Sequence, residues 1–323
     1  MKLVDANPEN IKEAAAIIKS GGLVAFPTET VYGLGADGLN PIAVAKIFEA
    51  KKRPAFNPLI LHIYNIDWLK KLTVFNDERV YQLINKFWPG PLTLVLPKTD
   101  VVPDIVTSGN ETVAVRMPDH PVALKLIEES GTPIAAPSAN KFGHLSPTDA
   151  QHVAKSLGDK VDLILDGGKC TVGVESTILE VNESGIILLR PGGLSKEEIE
   201  NEIDEIKLKK KSAAKPNSPG QLPFHYSPNI PLFFLTVEKL HKYRNHKIGV
   251  LFFDTLHSDY EFTSGKVLSS TGNLKEAAAN LFKYLHEFEK ENVEVILVEP
   301  VPETGLGLAI MDRLRKASKK YEN

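Results

Sequence analysis

Lys51, Arg53 and Asn57 stand close together in Lys51-Lys52-Arg53-Pro54-Ala55-Phe56-Asn57-Pro58-Leu59. Cations beside a rigid Pro-x-x-Asn-Pro turn suit a bound polyphosphate, which arginine grips bidentately. A solvated helix end explains the same two cations, since positive charge favours the helix C-terminus. Those two readings divide evenly for Lys51 and Arg53. Asn57, held between Phe56 and Pro58, tips the balance toward a site, because such a turn orients its side chain.

Upstream, Pro27-Thr28-Glu29-Thr30-Val31-Tyr32-Gly33-Leu34-Gly35 leaves an apolar run, Gly22 to Phe26, that reads as a buried strand. Hydroxyls and free backbone amides at a strand exit suit phosphate or a small polar ligand. Capping of the next turn is the commoner role for Thr28 and Thr30. His62 sits in an otherwise apolar strand, where a satisfied core histidine is the usual finding. Arg116 ends a strand, and a guanidinium there either forks an amino-acid carboxylate or pairs with an internal acid. Ser138 and Asn140 would aim to one side in extended backbone; an Asx/Ser turn after Pro137 is the plainer alternative. Ser146, taken alone, reads as a helix cap, and Arg190-Pro191-Gly192-Gly193 as a hairpin exit. His225-Tyr226 lies in a proline-rich stretch with Phe224 that a pure spacer would not need.

These residues need strands and helices to bring them together. Helical spacing covers Asn10 to Lys19, Pro41 to Ala50, Asp77 to Phe87, Pro121 to Ser130 and Asp149 to Leu157. Strands are expected at Leu59 to Ile63, Leu92 to Leu96, Thr112 to Arg116, Ile134 to Ala136 and Leu163 to Leu165. A hairpin is expected from Ser176 to Val181 and Gly185 to Leu189. The N-terminal part is therefore α/β, a mixed sheet with helices and with functional residues at strand ends. From Lys207 to about Asn229 the composition turns to Lys, Ser, Ala and Pro without apolar periodicity, which marks a linker. Beyond it, Leu232 to Leu235, Ile248 to Phe253 and Val293 to Val298 alternate with helices, including Leu274 to Glu289 and Leu308 to Lys319. That pattern predicts a smaller parallel α/β domain. Its first turn lacks G-x-G-x-x-G, and Gly305-Leu306-Gly307 is too weak to invoke a dinucleotide.

The 323 residues suffice for two domains, and 42% apolar with 24% charged residues is ordinary for a globular protein. No window approaches the ~20 apolar residues of a membrane span, and Met1-Lys2-Leu3-Val4-Asp5 has no signal-peptide shape. Cys170 has no internal disulfide partner and reads as a small residue near Gly167-Gly168. A cytoplasmic enzyme fits. Residues 1–206 carry 20 Lys and Arg against 28 Asp and Glu, a net of −8; residues 207–323 carry 18 against 13, a net of +5. The acidic N-terminal part argues against broad nucleic-acid binding there. Lys207, Lys209, Lys210, Lys211 and Lys215 read as a solvated linker. There is no Ser-His-Asp order, no paired cysteine and no cluster with metal-ligand spacing.

The two opening stretches are joined by Ala114-Val115-Arg116-Met117-Pro118, Ala136-Pro137-Ser138-Ala139-Asn140, Gly173-Val174-Glu175-Ser176-Thr177-Ile178 and Leu189-Arg190-Pro191-Gly192. Pro219-Gly220 through His225-Tyr226-Ser227-Pro228 and Gly307-Leu308-Ala309-Ile310-Met311 follow in order. In this series the chain resembles, over nearly its whole length, the threonylcarbamoyl-AMP synthases, the YrdC-like enzymes of tRNA modification, in their long two-domain form. The resemblance implies a YrdC-like catalytic domain (1–206), a linker acting as a lid (207–229) and a Rossmann-like C-terminal domain (230–323). It implies ATP, L-threonine and bicarbonate as substrates, with Mg2+ held mainly by the phosphates.

It implies that Lys51 and Arg53 are catalytic, and that Arg53, Asn57, Thr112, Ser138, Asn140, Ser146, Arg190 and Tyr226 serve the nucleotide. Thr30, His62, Arg116, Ala136 and Ser176 would serve threonine. Many members carry an aromatic residue where this chain has Pro223. The product would pass to a downstream threonylcarbamoyl transferase of the tRNA pathway, and the sequence leaves direct tRNA binding open. The rival classes are an RNA-binding protein, a regulatory sensor of amino acid and nucleotide, and a carbamoyl transferase of hydrogenase maturation. The last also carries zinc fingers and an acylphosphatase segment, absent from this sequence.

Overall fold

Short apolar stretches with period-two burial build the larger sheet. Along residues 23–26 the side chains alternate between two cores: Leu23 and Ala25 face one, Val24 and Phe26 the other. Helices Pro8–Lys19 and Pro121–Ser130 close over the second face, while Pro41–Lys51 and Ala150–Leu157 contribute to the first. Asn7-Pro8, Asn40-Pro41 and His120-Pro121 start three of these helices alike: a side chain accepts from the first turn, and proline follows where no donor is needed.

The computed structural model describes residues 1–203, 205–208, 216, 218–222, 224–257 and 261–322. Pro223 and Lys209, Lys210, Lys211 and Lys215 lie outside the described residues. The strands of the larger sheet are β1 (Lys2–Asp5), β2 (Val24–Phe26), β3 (Gly33–Asp37), β4 (Ile60–His62), β5 (Leu92–Pro97) and β6 (Thr112–Arg116). They continue with β7 (Ile134–Ala135), β8 (Leu163–Asp166), β9 (Thr177–Asn182), β10 (Gly185–Arg190) and β11 (Ile206–Leu208). Among the described residues they order as β1-β8-β2-β3-β7-β4-β6-β5-β9-β10-β11. Both strand senses occur: β4 runs parallel to β6, while β7 pairs antiparallel with β3 and β4.

A second sheet of β12 (Leu232–Phe234), β13 (Ile248–Phe252), β14 (Ser264–Val267) and β15 (Val295–Val298) has the order β12-β15-β13-β14, parallel throughout. Helices Leu274–Phe288 and Gly307–Ser318 cover it, and their core takes in Val31, Leu145 and Val174 of the N-terminal part. The fold is the expected α/β pair.

Four strands depart from the sequence reading. Gly33 to Asp37, not among the expected strands, is a mostly buried strand. A Cβ on Gly35 would come within 2.8 Å of Phe26 and Ile134, so glycine is required there by packing. β1 and β14 are polar edge strands, whose solvated side leaves little alternation to read. β11 pairs with β10 and carries the larger sheet to Leu208. Among the described residues no helix is long and apolar enough to cross a membrane.

Candidate active site

Strand exits converge on one cleft of about 550 Å³. Thr28 and Thr30 follow β2, His62 ends β4, Arg116 ends β6, Ala136 and Ser138 follow β7, Ser176 precedes β9 and Arg190 ends β10. Arg53 lines it from beyond helix Pro41–Lys51. All but Ser138 of these are buried.

Arg116 organises one end. Its Nη1 donates to Thr30 Oγ1 at 2.9 Å, its Nε to the Gly90 carbonyl at 3.2 Å, and its Nη2 to the Glu29 carboxylate. Thr28 Oγ1 lies 2.8 Å from Thr30 Oγ1 and donates to the Val31 carbonyl. Thr28 thus shapes the turn while Thr30 presents its hydroxyl. His62 stands beside them with Nδ1 unpartnered. Burial, then the nearby Arg116 charge, pulls its pKa down to about 3, so the ring is neutral at physiological pH.

The other end is cationic. Arg53 donates from Nε and Nη2 to the carbonyls of Asn57 and Pro58. Arg190 donates from Nε and Nη2 to the Ser176 carbonyl and from Nη2 to Ser176 Oγ. Among the described residues neither guanidinium has a carboxylate partner, and burial lowers the pKa of both. Gly192 lets this wall close, since a Cβ there would fall 2.3 Å from the Glu175 carbonyl oxygen and Ser176 carbonyl carbon.

Lys51 differs from the expectation of a cation facing phosphate. It is 2% exposed, and its ammonium donates to the carbonyls of Ser138, at 2.6 Å, and Asn140. Burial, reinforced by Arg53, drives its pKa well below the lysine range. It braces the loop that carries Ser138 and does not line the cleft. The reading of a solvated helix end holds for neither Lys51 nor Arg53, because both are buried.

Ser138 and Asn140 diverge, because the chain bends at 139–140 instead of continuing extended. Ser138 lines the cleft; Asn140 Nδ2 donates to the Lys141 and His144 carbonyls. Asn57 lies behind Arg53 with both amide atoms buried and unpartnered. Ser146 is no helix cap, a part that Asp149 takes; its hydroxyl donates to Glu175. Thr112 does not line the cleft. It begins β6, four steps of ~3.3 Å along the strand from Arg116.

The described part of the linker contributes to the cleft. Pro219, Gly220, His225 and Tyr226 line it, and Tyr226, at φ +64°, is 2% exposed. The His225 ring packs edge-on against Phe142 at 5.5 Å, and Ser227 N donates to the Gly143 carbonyl at 2.9 Å. Tyr226's pKa rises to about 12, first from burial and then from the Glu175 charge.

Two acids escaped sequence reasoning. Glu29 is the internal partner of Arg116. Glu175 lines the cleft, held below the usual carboxylate range although burial opposes it, because Arg313, Arg190 and the Ser146 hydroxyl favour its charge. Both sat inside recognisable motifs, but only the fold reveals their cationic partners. Arg313 carried no sequence signal.

A family model described as telomere recombination, covering the Sua5, YciO and YrdC proteins, matches residues 16–192. A second, described as the C-terminal domain of threonylcarbamoyl-AMP synthase, matches residues 194–319. A threonylcarbamoyl-AMP synthase of Pyrococcus abyssi is 48% identical, the alignment covering 95% of this chain and 94% of that one. The chain belongs to the threonylcarbamoyl-AMP synthase family. A second relative of that name, from Bacillus subtilis, is 45% identical over 98% of this chain and 94% of its own. The solved structure of P. abyssi Sua5 complexed with L-threonine superposes with a TM-score of 0.91 at 46% identity, covering 98% of this chain and 96% of that one. This family membership and the shared two-sheet fold agree with the resemblance read from the motifs.

Proposed function

We propose that the chain condenses L-threonine, bicarbonate-derived CO2 and ATP into threonylcarbamoyl-AMP and pyrophosphate, the first step of tRNA threonylcarbamoyladenosine formation. The observation that carries this reading is the pairing of cationic groups in one cleft. Arg53 and Arg190 are buried without a carboxylate partner among the described residues, beside an Arg116–Thr30 pair suited to an amino acid. A buried, uncompensated guanidinium is costly unless an anion joins it.

In this reading Arg116, Thr30, His62, Ser176 and the Ala136 backbone seat threonine, its carboxylate competing with Glu29 for the guanidinium. Arg53 and Arg190 neutralise the phosphates, with Asn57, Ser138, Asn140, Ser146 and Tyr226 on the nucleotide side. Lys51 acts through the Ser138 loop. The threonine amine, as the free base, attacks CO2 and releases a proton. The carbamate oxygen then bonds to the ATP α-phosphorus as the bond to the β-phosphate oxygen breaks and pyrophosphate leaves. No enzyme nucleophile is needed; positioning and charge stabilisation supply the catalysis. Mg2+ would enter as part of the Mg–ATP substrate, held mainly by the phosphates.

We take residues 1–206 as the catalytic domain, 207–229 as the lid and 230–323 as its support. A downstream transferase would receive the product, in the cytoplasm where tRNA is modified. Pyrophosphate release with ATP, Mg2+ and bicarbonate, measured with and without L-threonine, tests the reading. Release that needs both threonine and bicarbonate supports it. Release with neither would make the chain an ATP pyrophosphohydrolase, and none from folded protein would leave a binding function.

A further inference from the structure

The C-terminal domain sends one charged side chain into the wall of the cleft. Arg313, on helix Gly307–Ser318, is 1% exposed and among the largest fully buried side chains of the described residues. Its Nε donates to Glu175 Oε2 at 2.9 Å, and its Nη1 to the Pro191 carbonyl at 2.7 Å and to Asp312. Its guanidinium carbon lies 5.0 Å from the centre of the Tyr226 ring, within cation–π range.

The contacts fall on either side of the nucleotide wall. Glu175 adjoins Ser176 and Pro191 adjoins Arg190, and Ser176 and Arg190 are bonded to each other. One guanidinium therefore pins both strands of that wall and supports the lid's tyrosine. It also balances charge. Glu175 lines a cleft that is to receive a polyphosphate, and an uncompensated carboxylate there would repel it. Lys316, one turn on along the same helix, donates to the Gly220 carbonyl at 2.7 Å and ties the lid to the same support.

We propose that Arg313 is a positioning residue of the nucleotide site, by which the C-terminal domain neutralises Glu175, fixes the Ser176–Arg190 wall and seats Tyr226. This rests on the nucleotide reading of the cleft and gives the second domain a part in the site itself. The loss should appear as weaker nucleotide binding more than slower turnover, because Arg313 does not line the cleft.

The experiment compares Arg313→Gln, Arg313→Lys, Arg313→Met, Glu175→Gln and the double variant Glu175→Gln/Arg313→Gln in the full chain. Calorimetric binding of ATP, thermal unfolding, and KM and kcat for pyrophosphate release are measured on each. Arg313→Gln should weaken ATP binding by about tenfold to a hundredfold by leaving Glu175 unpaired. The double variant should recover much of that loss, because the uncompensated charge is gone; a residue that merely packed the interface would gain nothing from a second deletion. Wild-type ATP affinity in folded Arg313→Gln would overturn the proposal, as would a double variant no better than the single. If Arg313→Gln and the double variant fail to fold, Arg313→Lys and Arg313→Met decide: lysine, which still neutralises Glu175, should keep ATP affinity within about threefold, while methionine, which only fills the space, should lose about tenfold or more. Equal affinity in those two variants would overturn the proposal. ATP bound normally by a wild-type chain that releases no pyrophosphate would instead count against the synthase reading, leaving the part of Arg313 to be read from binding.

Discussion

Arg116 and Glu29 form a buried ion pair whose guanidinium also holds Thr30 Oγ1 at 2.9 Å. Both side chains are nearly sealed from solvent, 4% and 8% exposed, so the charges are weakly screened and depend on each other. Arg116→Gln should lower stability by about 3–5 kcal/mol by stranding the Glu29 carboxylate. It should also abolish calorimetric threonine binding. Urea unfolding and calorimetry read the two effects separately, and unchanged stability would show that Glu29 finds another partner.

Lys51 gives a second test, because its ammonium meets backbone carbonyls. Lys51→Met keeps the chain length but leaves the Ser138 and Asn140 carbonyls without that donor. A loss of about 1–3 kcal/mol is expected, mainly from the Asn140 carbonyl, since the Ser138 carbonyl keeps the Asn140 amide as donor. Nucleotide binding should weaken along with stability. Full stability with selective loss of ATP binding would mean that the ammonium turns to phosphate instead.

Gly192 closes the wall between Glu175 and Arg190. Gly192→Ala would drive its Cβ into backbone atoms 2.3 Å away, with no flexible side-chain end to yield. Destabilisation of about 2 kcal/mol or more and loss of pyrophosphate release are expected. Gly131→Ala is the control, for a Cβ there meets nothing within 4 Å and brings only the strain of a positive φ, which Gly192 does not have. It should cost only about 1–2 kcal/mol and leave turnover intact. Equal behaviour in a thermal melt and a turnover assay would rule out the packing argument for Gly192.

His62 predicts an acid-sensitive fold. Its folded pKa, about 3, lies below the ordinary value of 6.5 because burial and then Arg116 oppose its charge. Between those two values the unfolded chain takes a proton that the native chain refuses, so stability falls as pH drops. The contribution is flat above 6.5 and reaches its full loss near 3. Over pH 6.5 to 5 it amounts to about 2 kcal/mol, at about 1.4 kcal/mol per unit. His62→Asn should reduce the pH slope of unfolding free energy by about one proton across that window. Identical slopes in the two proteins would show that His62 is charged in the native state.

The amino-acid sequence by itself determined most of the elements and the chemistry on offer. Thr112–Arg116 and Pro121–Ser130 have the bounds that periodicity and proline set, because strand alternation and helix capping are local properties. Thr30, Arg53, His62, Arg116, Ser138, Ser176, Arg190 and Tyr226 were legible as candidates from residue type, turn chemistry and motif order, and they line one cleft. Direction and pairing were not legible. Whether Lys51 meets phosphate or carbonyl, whether Ser138 and Asn140 face together, and which acid neutralises which arginine all depend on contacts between distant segments. Glu175 and Arg313 stand 138 residues apart, and no local propensity joins them. Their union required the docking of two domains: burial costs a lone charge several kcal/mol, so folding brings opposite charges together where the sequence keeps them apart.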